Sequence, residues 1–460
     1  MFSSPRRWFV SFGVALAFCA ATASNAAPGD LDTAGFGSGL GKVMTPIGSN
    51  NDVANAVALQ PDGKIVVAGN CYNGVNEDFC LARYLPSGAL DTSFNTTGKL
   101  MTPIGSIGDI AYALALQPDG KIVVAGYCSN DGNNDFCLAR YLPSGALDTS
   151  FNATGTVITP IGSSYDYANA LALQPDGKIV VAGYCSNGTN GDFCLARYLP
   201  NGALDTSFNS TGKVITPIGS GDDSARAVAL QPDGKIVVAG DCYNATFDFC
   251  LARFLPSGAL DTSFNTTGTV ITPVGSGSDT AYAVALQPDG KIVVTGGCFG
   301  STNFGFCLAR FLPSGALDTS FNTTGTVITS IGSSYDTAYG VALQPDGKIV
   351  VAGFCLTPIG RFCLARFLPS GTLDTSFNTT GKVITPIGSG NDFARAVALR
   401  PDGKIVVAGG CSDGTNNDFC LARYEGGPFD ARNCSMDIDG DGLVLATTDS
   451  LIHARVALGI

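Results

Sequence analysis

Apolar positions in this chain come in short bursts, and between Ile110 and Cys128 the bursts have two different rhythms. In Ala111-Tyr112-Ala113-Leu114-Ala115-Leu116 small and larger residues alternate, the two-residue period of a strand with unlike faces. Ile122-Val123-Val124-Ala125 is apolar at every position, which predicts a strand covered on both sides. Pro118-Asp119-Gly120 between them is hairpin chemistry, with the glycine supplying the positive φ of a tight turn. Residues 99–104 and 136–142 read as two further strands, and Pro143-Ser144-Gly145 as another turn. No helical period interrupts the series.

The same series returns along the chain. Leu-Asp-Thr-Ser-Phe starts at Leu90, Leu147, Leu204, Leu260, Leu317 and Leu373, in steps of 56 or 57 residues, and a looser copy, Leu31-Asp32-Thr33-Ala34-Gly35-Phe36, precedes them. Seven such units predict an all-β fold, a seven-bladed β-propeller of four-stranded antiparallel blades. A β-helix is the other repeat architecture to weigh, but its coils are much shorter than this unit. All four strand pieces are present in the first unit and in the seventh, so the mode of ring closure stays open. The recurring LDTSFN, ALQPDGKIVVAG and FCLARYLPSG resemble the bacterial delta-60 repeat, a β-propeller repeat of uncharacterised function. The resemblance spans all seven units and implies a propeller in a secreted bacterial protein, with no activity attached.

Composition and the chain ends add a location. Hydrophobic residues make up 45% and charged residues 14%, with 59 glycines and 23 prolines, which suits many short strands joined by turns. Residues 1–26 read as an export signal: Arg6 and Arg7, then an apolar run from Trp8 to Ala21, then Ser24-Asn25-Ala26 for cleavage. The apolar run is too short for a membrane span. The propeller is assigned to residues 27–424, a linker to 425–436 and a last segment to 437–460. The expected location is secreted, periplasmic or at the cell surface. The formal charge of −12 argues against nucleic acid and anionic membranes as partners.

Fourteen of the 16 cysteines form seven pairs, one per unit: Cys71 with Cys80, Cys128 with Cys137, Cys185 with Cys194, Cys242 with Cys250, Cys298 with Cys307, Cys355 with Cys363 and Cys411 with Cys420. Each pair flanks the variable loop between the third and fourth strand pieces, so the thiols are expected to face each other across a hairpin. In an exported chain they predict disulfides, with reduced, packed thiols as the alternative. Zinc would need a closer Cys-x-x-Cys or a histidine in the unit. Cys19 belongs to the export signal, and Cys434 is left over.

The repeated charges point to structure. Each unit carries an aspartate in LDTSF, one before the Ala-x-Ala strand and one in the Pro-Asp-Gly turn, with a lysine after the turn and an arginine in Leu-Ala-Arg. Groups copied into every blade predict turn capping and Asp–Arg pairing. The chain has one histidine, His453, outside the repeats, and its only glutamates are Glu77 and Glu425, so no Ser-His-Asp or Cys-His arrangement fits in the ring. No catalytic residue is assigned. The chain is expected not to be an enzyme but a binding or cell-surface scaffold module for an unidentified protein or glycan. The alternative is an extracellular hydrolase or lyase acting on a polysaccharide at a propeller face.

Function is sought where the units differ. The middle residue of Ala-x-Ala is Asn55, Tyr112, Asn169, Arg226, Tyr282, Tyr339 and Arg395 in turn, a mix that suits a strand end opening on a propeller face. After Trp8 there is no tryptophan, so tyrosine would have to stack against any sugar. In the last segment Asp437, Asp439 and Asp441 precede Gly442 as at the start of an EF-hand loop. The segment resembles half of a dockerin, which implies calcium held by those three aspartates with Asp449 and the Leu443 carbonyl, and a short helix after it. It departs from the pattern in having Thr448 at the twelfth loop position and no second loop.

Overall fold

The computed structural model describes residues 26–427 apart from 131 and 301. Its first full blade runs outward from the innermost strand Asp52–Leu59 through Ile65–Tyr72 and Glu77–Tyr84 to the outer strand Lys99–Thr102, every neighbour antiparallel. Seven such four-stranded sheets are present, and among the described residues the one helical element is the 3-10 turn Gly37–Gly39. The fold is therefore the all-β, seven-bladed propeller that the repeat predicts.

The two apolar rhythms have separate causes. Along Ile65–Tyr72 successive side chains enter different cores. Val66 and Ala68 pack with Ala111, Ile122 and Val124 of the second blade, while Ile65 and Val67 pack with Val406, Ala408 and Phe419 of the seventh. A strand wedged between two neighbouring blades has no polar side, so it is apolar throughout. The core is thus a ring of seven inter-blade clusters.

Ring closure, open in the sequence, is 3+1. The seventh blade takes Asp392–Leu399, Ile405–Ser412 and Asn417–Tyr424 from one end of the chain and its outer strand, Lys42–Thr45, from the other. Beyond it, the Glu425 amide donates to Asp30 O at 2.9 Å and the Gly29 amide to Glu425 O at 2.7 Å. Glu425, placed in the linker by sequence, is tied into the propeller here, and Arg366 Nη1 donates to Gly426 O.

The Gln117–Lys121 hairpin is a turn whose lysine also reaches the buried Asp148, at 3.5 Å. The Gly120 amide donates to Gln117 O at 2.9 Å, Gly120 has φ 80°, and Lys121 Nζ lies 3.0 Å from Asp119. The Leu-Ala-Arg arginine does more. Arg253 Nε donates to Asp261 at 2.8 Å, Nη2 to Ser263 Oγ at 3.2 Å, and Nη1 to Pro313 O of the next blade at 2.6 Å, with the guanidinium 4.6 Å over the Phe264 ring. Burial works to raise the Asp261 carboxyl, but Ser263 and Arg253 outweigh it and hold it at about 2. The predicted Asp–Arg pair is therefore also a clamp between blades.

All seven expected cysteine pairs are disulfides, with Cα atoms 5.7–5.9 Å apart: Cys71 to Cys80, Cys128 to Cys137, Cys185 to Cys194, Cys242 to Cys250, Cys298 to Cys307, Cys355 to Cys363 and Cys411 to Cys420. The thiols meet across the hairpin as expected, but the paired residues are offset in the ladder. Cys71 stands across from Asp78 and Cys80 across from Gly69, so the bridge runs diagonally between the strands. In the other blades Cys137, Cys194, Cys250, Cys307, Cys363 and Cys420 likewise stand opposite the glycine of Val-Val-Ala-Gly or Val-Val-Thr-Gly, not opposite their sulfur partners. Partners are 8 or 9 positions apart in the chain. Closing so short a loop is worth about 2–3 kcal/mol in the chain-entropy model. Cys242→Ala with Cys250→Ala should lower unfolding free energy by that amount in denaturant titration. Thiol labelling of unfolded, unreduced protein should leave all fourteen paired cysteines unlabelled.

Candidate functional site

The cysteine hairpins and the starts of the innermost strands lie at one end of each blade, Asp52 standing in register with Cys71, and together they form the loop face. Just inside that face every innermost strand has a register shift, between Ala54 and Ala56 in the first blade and at the matching place in the other six. The residue skipped by the ladder is the variable one. A bulge frees and re-aims a side chain, which is why this position tolerates Asn, Tyr and Arg between small residues that are buried or half-buried.

The seven variable residues are half-buried on the innermost strands that ring the central channel. Asn55 Nδ2 donates to Ala111 O at 2.9 Å and Asn169 Nδ2 to Ala225 O at 2.8 Å, each reaching the next innermost strand. In the other arc Arg226 lies 5.1 Å over Tyr282, the Tyr282 and Tyr339 rings are 4.7 Å apart, and Arg395 lies 4.5 Å over Tyr339.

Three of the seven line a hollow on the loop face. A cavity of about 440 Å³ gathers Tyr112, Asn169 and Arg226 with Tyr167, Tyr184 and Asp241. A second, of about 630 Å³, shares Asp222 and Phe247 with it, so the two adjoin on the loop face. Asn55, Tyr282, Tyr339 and Arg395 do not line either. The phenols form a chain: Tyr112–Tyr127 at 5.9 Å, Tyr127–Tyr167 at 4.9 Å and Tyr167–Tyr184 at 5.8 Å between centroids. Burial raises the Tyr112 pKa, so its hydroxyl is a hydrogen-bond donor at neutral pH rather than a base.

Tyr127, Tyr167, Tyr184 and Asp241 are absent from the residues singled out by sequence. They occupy two further columns in which the units differ, the residue after Val-Val-Ala-Gly and the second residue of the innermost strand. Aligning the units column by column carries that signal.

Among the described residues no group of three or more His, Cys, Asp or Glu side chains is placed to hold a metal ion. Asp437, Asp439, Asp441, Leu443, Asp449 and Cys434, like the export signal up to residue 25, lie outside the described residues. No helix among the described residues is long and apolar enough to cross a membrane.

Solved structures similar to this chain are propellers of varied use. An ulvan lyase of polysaccharide lyase family PL25 shares 11% identity over 84% of this chain and 96% of its own, with a TM-score of 0.47. A catalytically inactive virginiamycin B lyase from Staphylococcus aureus shares 10% over 83% and 98%, with a TM-score of 0.48. Sqt1 from Chaetomium thermophilum shares 13% over 84% and 98%, with a TM-score of 0.44. Lyases stand among these structures, and the expectation that this chain is not an enzyme, which rested on finding no catalytic constellation in the repeats, is corrected accordingly. At such identity and TM-score the likeness assigns no reaction. No curated protein matches the chain. The beta-propeller domain of unknown function DUF5122 matches residues 60–94, 117–151, 174–208, 231–264, 287–321, 344–377 and 400–426, one stretch per blade and more than half of the sequence, and the chain belongs to that family.

Proposed function

We propose that this propeller binds a glycan at the loop-face hollow formed by its second, third and fourth blades. One observation carries the proposal: Tyr112, Tyr167 and Tyr184 converge on a single cavity with Asn169, Arg226 and Asp241. Phenol rings pack against the apolar faces of sugar rings, and amide, guanidinium and carboxylate groups hydrogen-bond hydroxyls. Tyr165, 49% exposed, extends the aromatic surface outward. Seven disulfides fit an oxidising compartment outside the cytoplasm, where such ligands are met.

Titrating the protein with a panel of plant, algal and bacterial oligosaccharides should give a ligand whose affinity drops about tenfold or more in Tyr167→Ala, a loss of about 1.4 kcal/mol. Tyr335→Ala, a 46% exposed tyrosine away from the hollow, should leave it unchanged. Binding that is equal in both variants places the site elsewhere and ends this reading. Mass spectrometry of the same mixtures reports whether the bound chain is cleaved.

A further inference from the structure

The channel holds two arginines at the same bulge position, and the blades treat them differently. Arg226 of the fourth blade is ion-paired through Nε with Asp241, which stands on the second strand opposite Ser224. In the seventh blade Arg395 takes the place of Arg226, and the residue opposite Phe393, where Asp241 would stand, is Gly410. The counter-ion is missing there. Among the described residues Arg395 has no ion pair, and its Nε is buried without a hydrogen-bond partner.

Both guanidinium groups lie over tyrosine rings, so Arg226, Tyr282, Tyr339 and Arg395 form a ladder with one neutralised end and one open end. The open end matters because the chain as a whole carries −12 and repels anions in bulk. A guanidinium stays charged at any ordinary pH and presents paired N–H donors that match a carboxylate or sulfate. The ladder joins it to the hollow, since Arg226 at the neutralised end lines that cavity.

We propose that Arg395 is an anion subsite of the channel, taking the carboxylate or sulfate group of an acidic glycan that occupies the neighbouring hollow. The glycan part rests on the function proposed above. The oxyanion part rests on Arg395 and Gly410 alone.

Two variants test it. Arg395→Gln removes the cation. Gly410→Asp supplies from within the counter-ion that Asp241 gives Arg226, and a Cβ at Gly410 meets nothing closer than Val53 Cγ1 at 3.5 Å. Each should weaken binding of an acidic oligosaccharide about tenfold or more and leave the matching neutral one unchanged; equal effects on acidic and neutral chains would overturn the subsite. Oligogalacturonate and a sulfated galactan separate the carboxylate source from the sulfate source. Galacturonate and sodium sulfate, used alone, probe the subsite without any glycan. At least one should raise the melting temperature of the native protein more than that of either variant, and equal shifts in all three proteins overturn the subsite even if a glycan binds elsewhere. If these anions discriminate and no oligosaccharide binds, the subsite stands and the glycan reading fails.

Discussion

A chain that starts at residue 46 should lose most of the propeller's stability, although only a four-residue strand and its lead-in are gone. Lys42–Thr45 pairs with residues 419–422, so the seventh blade would be left with a bare edge. The larger loss is Asp32. Its carboxylate is the ion-pair partner of Arg423 at 2.6 Å and of Lys404 at 2.9 Å, with no side-chain exposure. Burial works to raise the Asp32 pKa, but Lys404 and Arg423 outweigh it and hold the group ionised. Taking away one partner of a buried pair costs about 3–5 kcal/mol, because the remaining charge stays buried alone. Phe36, 1% exposed beneath the Arg423 guanidinium at 4.7 Å, adds about 1.5–3 kcal/mol of lost burial. Together these approach the roughly 5–15 kcal/mol that holds a whole domain. Denaturant titration should show a much lower midpoint, and the open edge should promote association. Asp32→Ala alone should lose the ion-pair share. A truncated chain that unfolds at the full-length midpoint would mean that the ring is held shut by other contacts.

The closing contact also marks how far the sequence could be read. Blade number and strand count follow from periodicity, because a unit of this size cannot bury its own faces and must stack on copies of itself. Closure was in the sequence as well, in a form that needed one structural fact. Each Leu-Ala-Arg arginine pairs with the LDTSF aspartate eight residues later, as Arg83 does with Asp91. Arg423 has no such motif after it, and Asp32 of the Leu31–Phe36 copy has no arginine eight residues before it, so the two unmatched halves belong together. The pairing distance was not evident without the fold. The hollow was less legible. Its tyrosines come from four columns, three of them on strands and one, Tyr165, in the loop before Asp166, and their convergence depends on the bulge and on blade packing. Only the Ala-x-Ala column stood out in the linear sequence, and three of its seven residues reach the cavity.

Stability should peak on the acid side, near pH 4–5, and fall as the pH rises through about 6. Innermost strands begin with buried aspartates, and in five places another buried aspartate from the preceding blade faces them: Asp78 toward Asp109, Asp135 toward Asp166, Asp192 toward Asp223, Asp248 toward Asp279 and Asp418 toward Asp52. The Oδ1 atoms of Asp78, Asp135, Asp192, Asp248 and Asp418 are buried without a partner. Burial first, and the neighbouring carboxylate second, push Asp418 up to about 6; Asp166 also reaches about 6 by burial and the Asp135 charge, against amide hydrogen bonds from Ile161 and Gly162. Lys99 beside Asp418 and Lys213 beside Asp166 temper both. A carboxyl whose folded pKa lies above its ordinary value of 3.8 binds its proton more tightly in the folded state. That stabilisation is complete below about pH 4 and lost as the pH passes about 6, on the order of 1–2 kcal/mol for each group after screening. The clamp aspartates act in the other direction. Asp148 and Asp261 sit at about 2, so their contribution is full above about pH 4 and is lost only in stronger acid. An optimum between the two sets follows. The sixth-to-seventh junction supplies the control, since Arg361 stands in the facing position there and its Nη1 meets Asp392 at 3.0 Å, an attraction in place of a repulsion. Asp135→Asn should therefore raise the melting temperature at pH 8 and change it little at pH 4.5. A melting temperature that is flat between those values, or an Asp135→Asn protein no more stable than the parent at pH 8, would show that the facing carboxylates are solvated well enough to stay ionised together.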